Sequence, residues 1–342
     1  MKLLVLGGTG AISGEIVRQA LVQGHDVTIF NRGTKPTSYM KDVHIIIGDR
    51  HDKKSFSELM SSVDADVVID MICFREEDAK QTVQTFSGRA KQLIFASSIA
   101  AYARPYHSFP VQESCETLRE DPAFSYGYHK AEMERYLQKE MGKSPKTAIT
   151  ILRPSLTFGT GSTNFGILRQ NRNVVRRIKE GKPVIMTGEG VIPWSFTFTP
   201  DLAAAFLLTC ENKKTFNDCF HVTNTELVVW EDLYKAVGRA IGKEPVLYYI
   251  SSELLREFKP DICEHLNFEK VHFSYFSNEK FKSAAPGYEP RITLEMGIQK
   301  LIQWWDDTNF PYDEEKEILE DEICSLYEQF RNGLNIIGKK YS

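Results

Sequence analysis

The sequence predicts an α/β fold: a doubly wound parallel sheet joined to a smaller, mostly C-terminal subdomain. Three observations support this prediction. A short apolar run near the N-terminus is followed by a glycine-rich turn and then by a helical pattern. Apolar strands and amphipathic helices go on alternating to about residue 160. Beyond residue 160 that rhythm changes, which indicates a second subdomain.

The N-terminal segment predicts a strand–helix–strand unit. Leu3–Leu6 and Val27–Phe30 are apolar runs typical of buried parallel strands. Between them, apolar residues recur at helical spacing directly after Gly7–Gly10. The N-terminus of a helix reached through such a turn binds the pyrophosphate of a dinucleotide, so we predict a Rossmann unit. Ser13 replaces the third glycine of the usual fingerprint, and slightly looser packing of helix on strand is expected.

The end of the second strand bears on which dinucleotide is bound. An acidic side chain there would bond the ribose 2′-hydroxyl of NAD, whereas an arginine accommodates the 2′-phosphate of NADP. This chain has Asn31 and Arg32 and no carboxylate at either position. NADP is therefore favoured. The alternative is that Arg32 stacks on the adenine or faces solvent, which leaves NAD open.

The alternation beyond this unit predicts the rest of the sheet and its covering helices. The predicted strands are His44–Ile47, Ala65–Asp70, Gln92–Ala96 and Thr147–Leu152, and the predicted helices are Ser55–Ser62, Glu76–Phe86 and Pro122–Met141. Ligands of such a sheet bind at the C-terminal ends of its strands. Asp49, just after the third strand, is placed to bond the adenine amino group, although a turn role is nearly as well supported.

The predicted Rossmann domain covers residues 1–160 and is completed by about residues 195–225. Residues 161–194 and 226–342 form the predicted substrate-binding subdomain with its helical C-terminal tail. Within it, Asn164–Lys179 is predicted as a basic helix. Trp194–Phe198, where the chain returns to the Rossmann domain, is predicted as a strand. Asp313–Arg331 is predicted as an acidic surface helix packed on the body.

Composition argues against several classes of protein. The net charge is −4 with no basic stripe, so neither nucleic acid nor an anionic membrane is an expected partner. No apolar run approaches the length of a membrane span, and the N-terminus lacks the features of a signal peptide. The six cysteines form no CxxC pair, which suits reduced thiols in the cytoplasm. No His, Asp or Glu cluster has metal-site spacing, so no metal is predicted.

Two short motifs carry the candidate chemistry. Tyr126 and Lys130 are four residues apart on one predicted helix, so both side chains project from the same face. A lysine ammonium near a phenol favours the phenolate, which makes Tyr126 a candidate acid or base for a hydroxyl–carbonyl interconversion. Ser97 and Ser98 end the fifth strand, where a hydroxyl could polarise the substrate oxygen. Alternatively, these serines cap a turn.

These motifs together resemble the extended short-chain dehydrogenase/reductases of the NAD(P)-dependent epimerase/dehydratase family. The resemblance runs almost to Trp305. The matching segments are Gly7–Ile12, Gly48–Asp49, Phe95–Tyr102, Tyr126–Lys130, Leu152–Pro154, Gly181–Pro183 with Gly188–Gly190, Phe198–Ala203 and Phe220–Asn224.

The resemblance implies roles for particular residues. Ser98, four positions before Tyr102, would be the catalytic hydroxyl, and Tyr126 the acid or base. Lys130 would also hold the nicotinamide ribose. Family members often dimerise through the helices that correspond to Glu76–Phe86 and Pro122–Met141, forming a four-helix bundle. With the resemblance included, the predicted cofactor-binding residues are Gly7, Thr9, Gly10, Ala11, Ile12, Asn31, Arg32, Asp49, Arg50, Met71, Ile72, Ser97, Tyr126, Lys130 and Pro154.

Two departures from the family pattern limit the choice of substrate. Family dehydratases carry an acidic pair where this chain has Ile99–Ala100, so sugar 4,6-dehydration is disfavoured. An arginine that commonly helps to hold a nucleotide diphosphate is missing from Val191–Trp194. Charge could instead come from the preceding segment, where two or more of the arginines are expected to be solvated; these arginines are Arg169, Arg172, Arg176 and Arg177.

The function predicted from these features is NAD(P)-dependent epimerisation or oxidoreduction at a hydroxyl or carbonyl of a sugar or nucleotide-sugar. NADP and the missing arginine favour net reduction, whereas the family resemblance favours epimerisation. The alternative is a non-catalytic NADP-binding or RNA-binding member, because the layout also resembles the chloroplast stem-loop RNA-binding branch of the superfamily.

Overall fold

A computed structural model of the chain describes residues 1–35, 38–162, 166–168, 173–258, 265–308 and 312–341. These residues form two compact units. The first unit contains residues 1–161, 195–225 and 275–291. The second contains residues 162–194, 226–274 and 292–342. The segment Tyr275–Arg291 therefore lies in the first unit, whereas the predicted division placed it in the second.

Strands and helices alternate along most of the chain. The strands are β1 (Lys2–Leu6), β2 (Asp26–Asn31), β3 (His44–Ile47), β4 (Val67–Asp70), β5 (Gln92–Ala96), β6 (Ala148–Pro154), β7 (Leu156–Phe158), β8 (Pro183–Thr187), β9 (Pro193–Trp194), β10 (Phe196–Phe198), β11 (Asp218–Val222), β12 (Val228–Val229) and β13 (Val246–Ile250). The α-helices are α1 (Ala11–Val22), α2 (Lys53–Ser61), α3 (Glu76–Phe86), α4 (Ser125–Glu140), α5 (Val174–Glu180), α6 (Thr199–Thr209), α7 (Trp230–Ile241), α8 (Ser252–Phe258), α9 (Glu279–Ala284), α10 (Leu294–Thr308) and α11 (Glu314–Gly338).

The first unit is built on one seven-stranded sheet. Its strand order is β11-β6-β5-β4-β1-β2-β3, and every pair in it is parallel. The strand order reverses at β1, which lies between β2 and β4. That reversal is the switch point at which doubly wound sheets bind ligands. The predicted doubly wound Rossmann architecture is confirmed.

Helices cover both faces of this sheet, which explains why its central strands are apolar without alternation. Every residue of β4, β5 and β6 is buried. One face packs against α1, α6 and α9, with Ile16, Phe206 and Phe281 in its core. The other packs against α2, α3 and α4, with Phe56, Phe86 and Met133.

The second unit contains α5, α7, α10 and α11 around short strand pairs. β8 pairs with β13 in parallel, and β9 pairs with β12 antiparallel. α7 packs against α10, and its apolar face buries Trp230, Leu233 and Val237. The first half of α11 packs on β8 and β13.

Three predicted elements differ from the structure most, while others differ by a few residues at their ends. The basic helix predicted from Asn164 begins at Val174, and part of the predicted range lies outside the described residues. The strand predicted over Trp194–Phe198 is divided at Ser195 into β9 and β10, which pair with different strands. The C-terminal helix continues beyond its predicted end at Arg331 to Gly338. Periodicity could not place these boundaries because tertiary pairing decides them.

Candidate active site

The glycine turn after β1 has the backbone that the fingerprint predicts. Gly7 and Gly8 have φ values of +115° and +90°, and a Cβ on Gly8 would lie 2.7 Å from Ile29 Cγ2. Gly10 caps α1, and its N–H donates to Ser13 Oγ at 3.0 Å. Ser13 is buried. The serine hydroxyl thus closes the first turn of α1, and the expected loosening of the packing stays a prediction.

The predicted cofactor residues of this turn surround the N-terminus of α1. Gly10 is exposed, and Thr9, Ala11 and Ile12 are half-buried. The first turn of α1 carries no acidic side chain, so nothing there opposes the positive end of the helix dipole. Tyr39, which the sequence did not single out, donates its hydroxyl hydrogen to the Gly8 carbonyl. The Tyr39 side chain thus holds the turn at Gly8.

Asn31 and Arg32 follow β2 at the same edge. Asn31 Oδ1 accepts a hydrogen bond from the Gly33 N–H at 2.7 Å, which fixes the turn. Asn31 Nδ2 is buried and has no hydrogen-bond partner among the described residues. A buried amide without a partner is costly, and a ligand oxygen at this edge would satisfy it. The Arg32 side chain is exposed. The buried amide without a partner fits a polar ligand such as a dinucleotide, and a contact of Arg32 with a 2′-phosphate stays a prediction.

The two residues predicted after β3 differ in their side-chain contacts. Asp49 is exposed and accepts a hydrogen bond from the His51 N–H at 2.9 Å, which is the turn role. Arg50 is buried: its Nη1 lies 3.0 Å from Asp70 Oδ1, and its Nη2 donates to the Asp78 carbonyl at 2.8 Å. The Arg50 guanidinium is therefore bound by other residues of the protein interior. A cofactor contact of Arg50 stays a prediction, and the backbone of this residue would make it.

Met71 and Ile72 come directly after β4, beside the glycine turn. The Met71 N–H donates to the Leu6 carbonyl at 3.0 Å. A Cβ added to Gly7 would lie 3.4 Å from Ile72 Cγ2 and 3.5 Å from Met71 Cβ. Both side chains are half-buried. The structure thus places these two predicted cofactor residues in contact distance of the predicted phosphate turn.

Lys130 joins two strand ends beneath the site. Its Nζ donates to the Cys73 and Ala96 carbonyls, both at 2.7 Å, and lies 4.9 Å from the centre of the Phe74 ring. The side chain is 3% exposed, and burial lowers the pKa of this lysine. Cys73 follows β4 and Ala96 ends β5. The lysine is therefore fixed at the C-terminal edge of the central strands, with one of its three N–H donors left for a ligand.

Tyr126 and Ser98 belong to two segments that touch. Tyr126 lies in the first turn of α4 and keeps 37% of its surface exposed. A Cβ on the next residue, Gly127, would lie 2.5 Å from the Ala100 carbonyl, so only glycine allows this approach. Ser98 begins the 3₁₀ turn that contains Ala100, and its Oγ accepts a hydrogen bond from the Ala100 N–H at 3.1 Å. The structure thus brings together the turns that carry the two predicted catalytic groups.

Ser97 has a different environment from Ser98. Ser97 is buried, and its hydroxyl donates to Glu134 Oε1. Glu134 also pairs with Arg153, whose Nε lies 3.0 Å from both carboxylate oxygens. Arg153 precedes Pro154, the buried end of β6 that was predicted to face the nicotinamide. The sequence interpretation missed Glu134, although its spacing of four residues from Lys130 places it on the helix face that carries Tyr126 and Lys130.

The buried network continues beyond Arg153. Arg153 Nη1 donates to the Tyr102 hydroxyl at 2.6 Å, which lies 2.7 Å from His221 Nε2. The backbone N–H of His221 donates to Glu113 Oε1 at 2.7 Å. Burial, together with the Arg153 charge, lowers the pKa of His221 to about 3, whereas burial raises the pKa of Glu113. His221 is thus a packed residue of the interior.

In the second unit, two of the arginines considered for a substrate phosphate have protein partners. Arg176 Nε lies 2.7 Å from Glu180, and its guanidinium stacks over Tyr312. Arg177 is buried against carboxylates of α11, so it is not solvated. Arg169 and Arg172 lie outside the described residues. Trp194 is buried on Trp230, with ring centres 5.1 Å apart.

Comparison with known proteins decides the family. The model of the NAD dependent epimerase/dehydratase family matches residues 3–220, which is more than half of the chain. The chain belongs to the NAD-dependent epimerase/dehydratase family. The resemblance inferred from the sequence motifs is therefore confirmed.

Two relatives of this family member differ in what they do. The 2′-dehydrokanamycin reductase of Streptomyces kanamyceticus is 24% identical over 243 residues, 71% of this chain and 67% of that protein. The chloroplast stem-loop binding protein of 41 kDa b of Arabidopsis thaliana is 26% identical over 311 residues, 87% of this chain and 77% of that protein. Relatives thus include both a reductase and a binding protein.

Solved structures share the fold. The UDP-glucose 4-epimerase of Thermotoga maritima, solved with UDP-glucose, has a TM-score of 0.70 and 20% identity, covering 91% of this chain and all of that one. Within the described ranges, no helix is long and apolar enough to cross a membrane. In the same ranges, no group of three or more His, Cys, Asp or Glu side chains could hold a metal ion.

Proposed function

We propose that the protein is an NAD(P)-dependent reductase or epimerase that acts on a hydroxyl or carbonyl group of a sugar, free or nucleotide-linked. One arrangement carries this proposal. Lys130 is buried where β4 and β5 end, and Tyr126, one helical turn earlier, is accessible beside the turn that Ser98 begins. Membership of a family of epimerases and dehydratases, and a relative that is a reductase, support the same reading.

In this proposal the protein supplies a proton and a polarising contact. Tyr126 exchanges a proton with the substrate oxygen, and the Ser98 hydroxyl donates a hydrogen bond to that oxygen. Lys130 stabilises negative charge on the Tyr126 oxygen and offers its remaining N–H to the nicotinamide ribose. When bound, the nicotinamide supplies or accepts the hydride. Met71, Ile72 and Pro154 would shape the nicotinamide half of the cradle.

We propose NADP as the preferred cofactor because Arg32 is exposed at the end of β2. Calorimetric titration with NADPH and with NADH tests this preference. NADPH should bind more tightly than NADH, and Arg32→Ala should remove most of that difference while leaving NADH binding unchanged. Lys35→Ala is the matched control, because it removes a neighbouring exposed cation. Tighter binding of NADH by the wild type would overturn the Arg32 argument.

Turnover is tested with NADPH and a panel of keto sugars, followed by nucleotide-sugars with catalytic amounts of cofactor. Net loss of NADPH absorbance identifies a reductase, and a new sugar isomer without net cofactor change identifies an epimerase. Tyr126→Phe should lower kcat roughly 10²–10⁴-fold and keep cofactor affinity. Tyr128→Phe, two residues along the same helix, should leave kcat unchanged. Equal activity of the two variants would overturn the role of Tyr126.

A second candidate function is non-catalytic binding, since the stem-loop binding relative matches 87% of the chain. The net charge of −4 opposes RNA binding, which ordinarily uses a basic face. NADPH binding without turnover, combined with salt-dependent binding of a stem-loop RNA, would favour this candidate.

The predicted dimer through α3 and α4 and the cytoplasmic location remain proposals. α3 and α4 pack against each other in the first unit. Their exposed residues are polar except for Tyr126.

A further inference from the structure

The C-terminal half of α11 presents apolar side chains that no other part of the described chain covers. Every residue from 328 to 341 is exposed. Leu326, Phe330, Leu334 and Ile337 expose 63%, 62%, 50% and 52% of their surface. Single exposed apolar residues are ordinary, but a row of them along one helix marks an interaction surface.

The first half of the same helix is firmly anchored in the second unit. Glu317, Glu320 and Cys324 are buried. Arg177 Nη1 lies 3.0 Å from Glu317, and the Tyr248 hydroxyl donates to Glu328. The exposed half therefore continues a helix that is anchored up to Glu328.

The apolar positions are arranged symmetrically about Phe330. Leu326 and Leu334 lie four residues before and after it, and Ile323 and Ile337 lie seven before and after. At 3.6 residues per turn, each of these five side chains points within about 40° of their common mean direction. Further out, Leu319 and Tyr341 lie eleven residues before and after Phe330. We call the five central residues the Phe330 stripe.

Charge follows the same symmetry with opposite sign. Glu322 lies eight residues before Phe330 and Lys340 ten residues after it, just past the helix end. Both project about 80° to the same side of the stripe. If two copies of the helix met antiparallel with Phe330 at the centre, Glu322 of each copy would lie about 3 Å along the axis from Lys340 of the other. A parallel pair would instead place Glu322 of both copies at one end of the interface and Lys340 of both copies at the other, with no such pair.

We propose that the Phe330 stripe is an interface with a second copy of this chain, in which two α11 helices pair antiparallel about a two-fold axis at Phe330. The stripe is self-complementary in its apolar positions, and Glu322 and Lys340 bring opposite charges together at both of its ends, as an isologous interface allows. It is about 21 Å long from Ile323 to Ile337, so we expect association on the order of micromolar.

Sedimentation velocity of the full chain over a concentration series is the first test. The wild type should pass from monomer to dimer, with the monomer mass at 39.1 kDa, or from dimer to tetramer where the proposed contact through α3 and α4 also forms. Phe330→Asp should raise the dissociation constant more than about tenfold, because both copies lose the central contact. Val22→Asp, at a 79% exposed apolar residue of α1, is the matched control and should dimerise as the wild type does.

Charge exchange tests the antiparallel direction. Glu322→Lys and Lys340→Glu should each weaken the dimer, and the double variant should restore it, because both symmetric pairs are then reversed but intact. If the double variant is as weak as the sum of the single variants, the proposed register is wrong.

A disulfide tests the two-fold axis directly, in a background with Cys115→Ser and Cys263→Ser. Phe330→Cys should form an oxidised dimer, since a residue on the axis meets its own mate. Leu326→Cys alone should not, because its mates would lie about 12 Å apart along the axis. An equal mixture of Leu326→Cys and Leu334→Cys chains should cross-link.

Two outcomes would overturn the proposal. One is a wild-type chain that stays monomeric at about 100 μM, tens of times above the expected constant. The other is a monomer that co-sediments with phosphatidylglycerol vesicles and loses that binding in Phe330→Asp, which would assign the stripe to a lipid surface. A dimer that survives Phe330→Asp and does not cross-link through residue 330 would point instead to α3 and α4.

Discussion

Two buried arginines, one in each unit, have the same chemistry and different consequences. Arg153 in the first unit is 3% exposed and pairs with Glu134, with Nε 3.0 Å from both oxygens. Arg177 in the second unit is fully buried, with Nη1 3.0 Å from Glu317 and Nε 3.7 Å from Glu320. In both, desolvation would lower the arginine pKa, but the carboxylates outweigh it and raise that pKa.

What differs is where the carboxylates come from. Glu134 lies on α4, one turn after Lys130, and it also accepts the Ser97 hydroxyl beside Ser98. The Arg153 pair therefore fixes the helix and the two strand ends that carry the candidate site. The carboxylates around Arg177 lie on α11, so that pair anchors the C-terminal helix. A buried ion pair thus fixes the two elements that carry its partners. Its effect on the protein depends on what those elements do.

The largest expected effect is at the first of these pairs. Glu134→Ala leaves the Arg153 guanidinium buried without its counter-charge, and we expect the free energy of unfolding to fall by about 3–5 kcal/mol. Urea denaturation measures it. Glu134→Gln keeps the shape and part of the hydrogen bonding, so it should lose less stability. A loss below about 1 kcal/mol in Glu134→Ala would show that water or a rearranged side chain compensates Arg153.

Removing Arg177 from the second pair should lower the free energy of unfolding less, and the effect should be local to α11. Arg177→Met leaves Glu317 and Glu320 buried, but Lys182 still lies 2.8 Å from Glu317, so we expect a loss of about 2–3 kcal/mol. α11 should become sensitive to limited proteolysis, and NADPH binding should not change. Lys179→Met, which removes a neighbouring exposed cation, is the control. An Arg177→Met protein that loses NADPH affinity would contradict the separation of roles.

The arginines also show how much of the fold and of the site could be predicted from the sequence. The glycine turn, the strands before it and after it, and the Tyr126–Lys130 spacing are local patterns, and they predicted the confirmed Rossmann fold and family. The carboxylate partners of Arg50 and Arg177 are 20 to 144 residues away in the chain. No local pattern distinguishes an arginine that meets a phosphate from one that meets a carboxylate, so both arginines were predicted as ligand residues or solvated ones. The sequence pattern likewise could not show that α11 would extend past the rest of the second unit beyond Glu328.

Acid should separate the two networks, because within the described part of the chain only the Arg153 network includes a histidine. The pKa of His221 is about 3 in the fold and 6.5 in its ordinary state, so between these values the unfolded chain binds more protons. Stability from His221 is therefore lost as the pH falls through this window, by up to about 1.4 kcal/mol per unit. Glu113, which accepts the His221 N–H, opposes this loss because its raised pKa lets the folded state take up a proton first.

Urea midpoints of the wild type and of His221→Gln at pH 7, 6 and 5 measure that slope. The wild type should lose about 1 kcal/mol more than the variant between pH 6 and pH 5. Lys179→Met, at an exposed cation outside the Arg153 network, should keep the wild-type slope. Parallel slopes in the wild type and His221→Gln would mean that the histidine is not buried in its neutral form.

The smallest effect is expected at the outer edge of the Arg177 network. Asp321 lies 2.8 Å from Arg177 Nη1 and 2.9 Å from Lys182 Nζ, but its side chain is 47% exposed. Water competes for both contacts, so Asp321→Asn should cost only about 0.5 kcal/mol by urea denaturation. Glu320→Gln, at a buried carboxylate one residue earlier, should cost more, because nothing but protein solvates it. If Asp321→Asn lowers the free energy of unfolding as much as Glu320→Gln does, charge rather than burial anchors α11. The two arginine sites would then differ in what stabilises them.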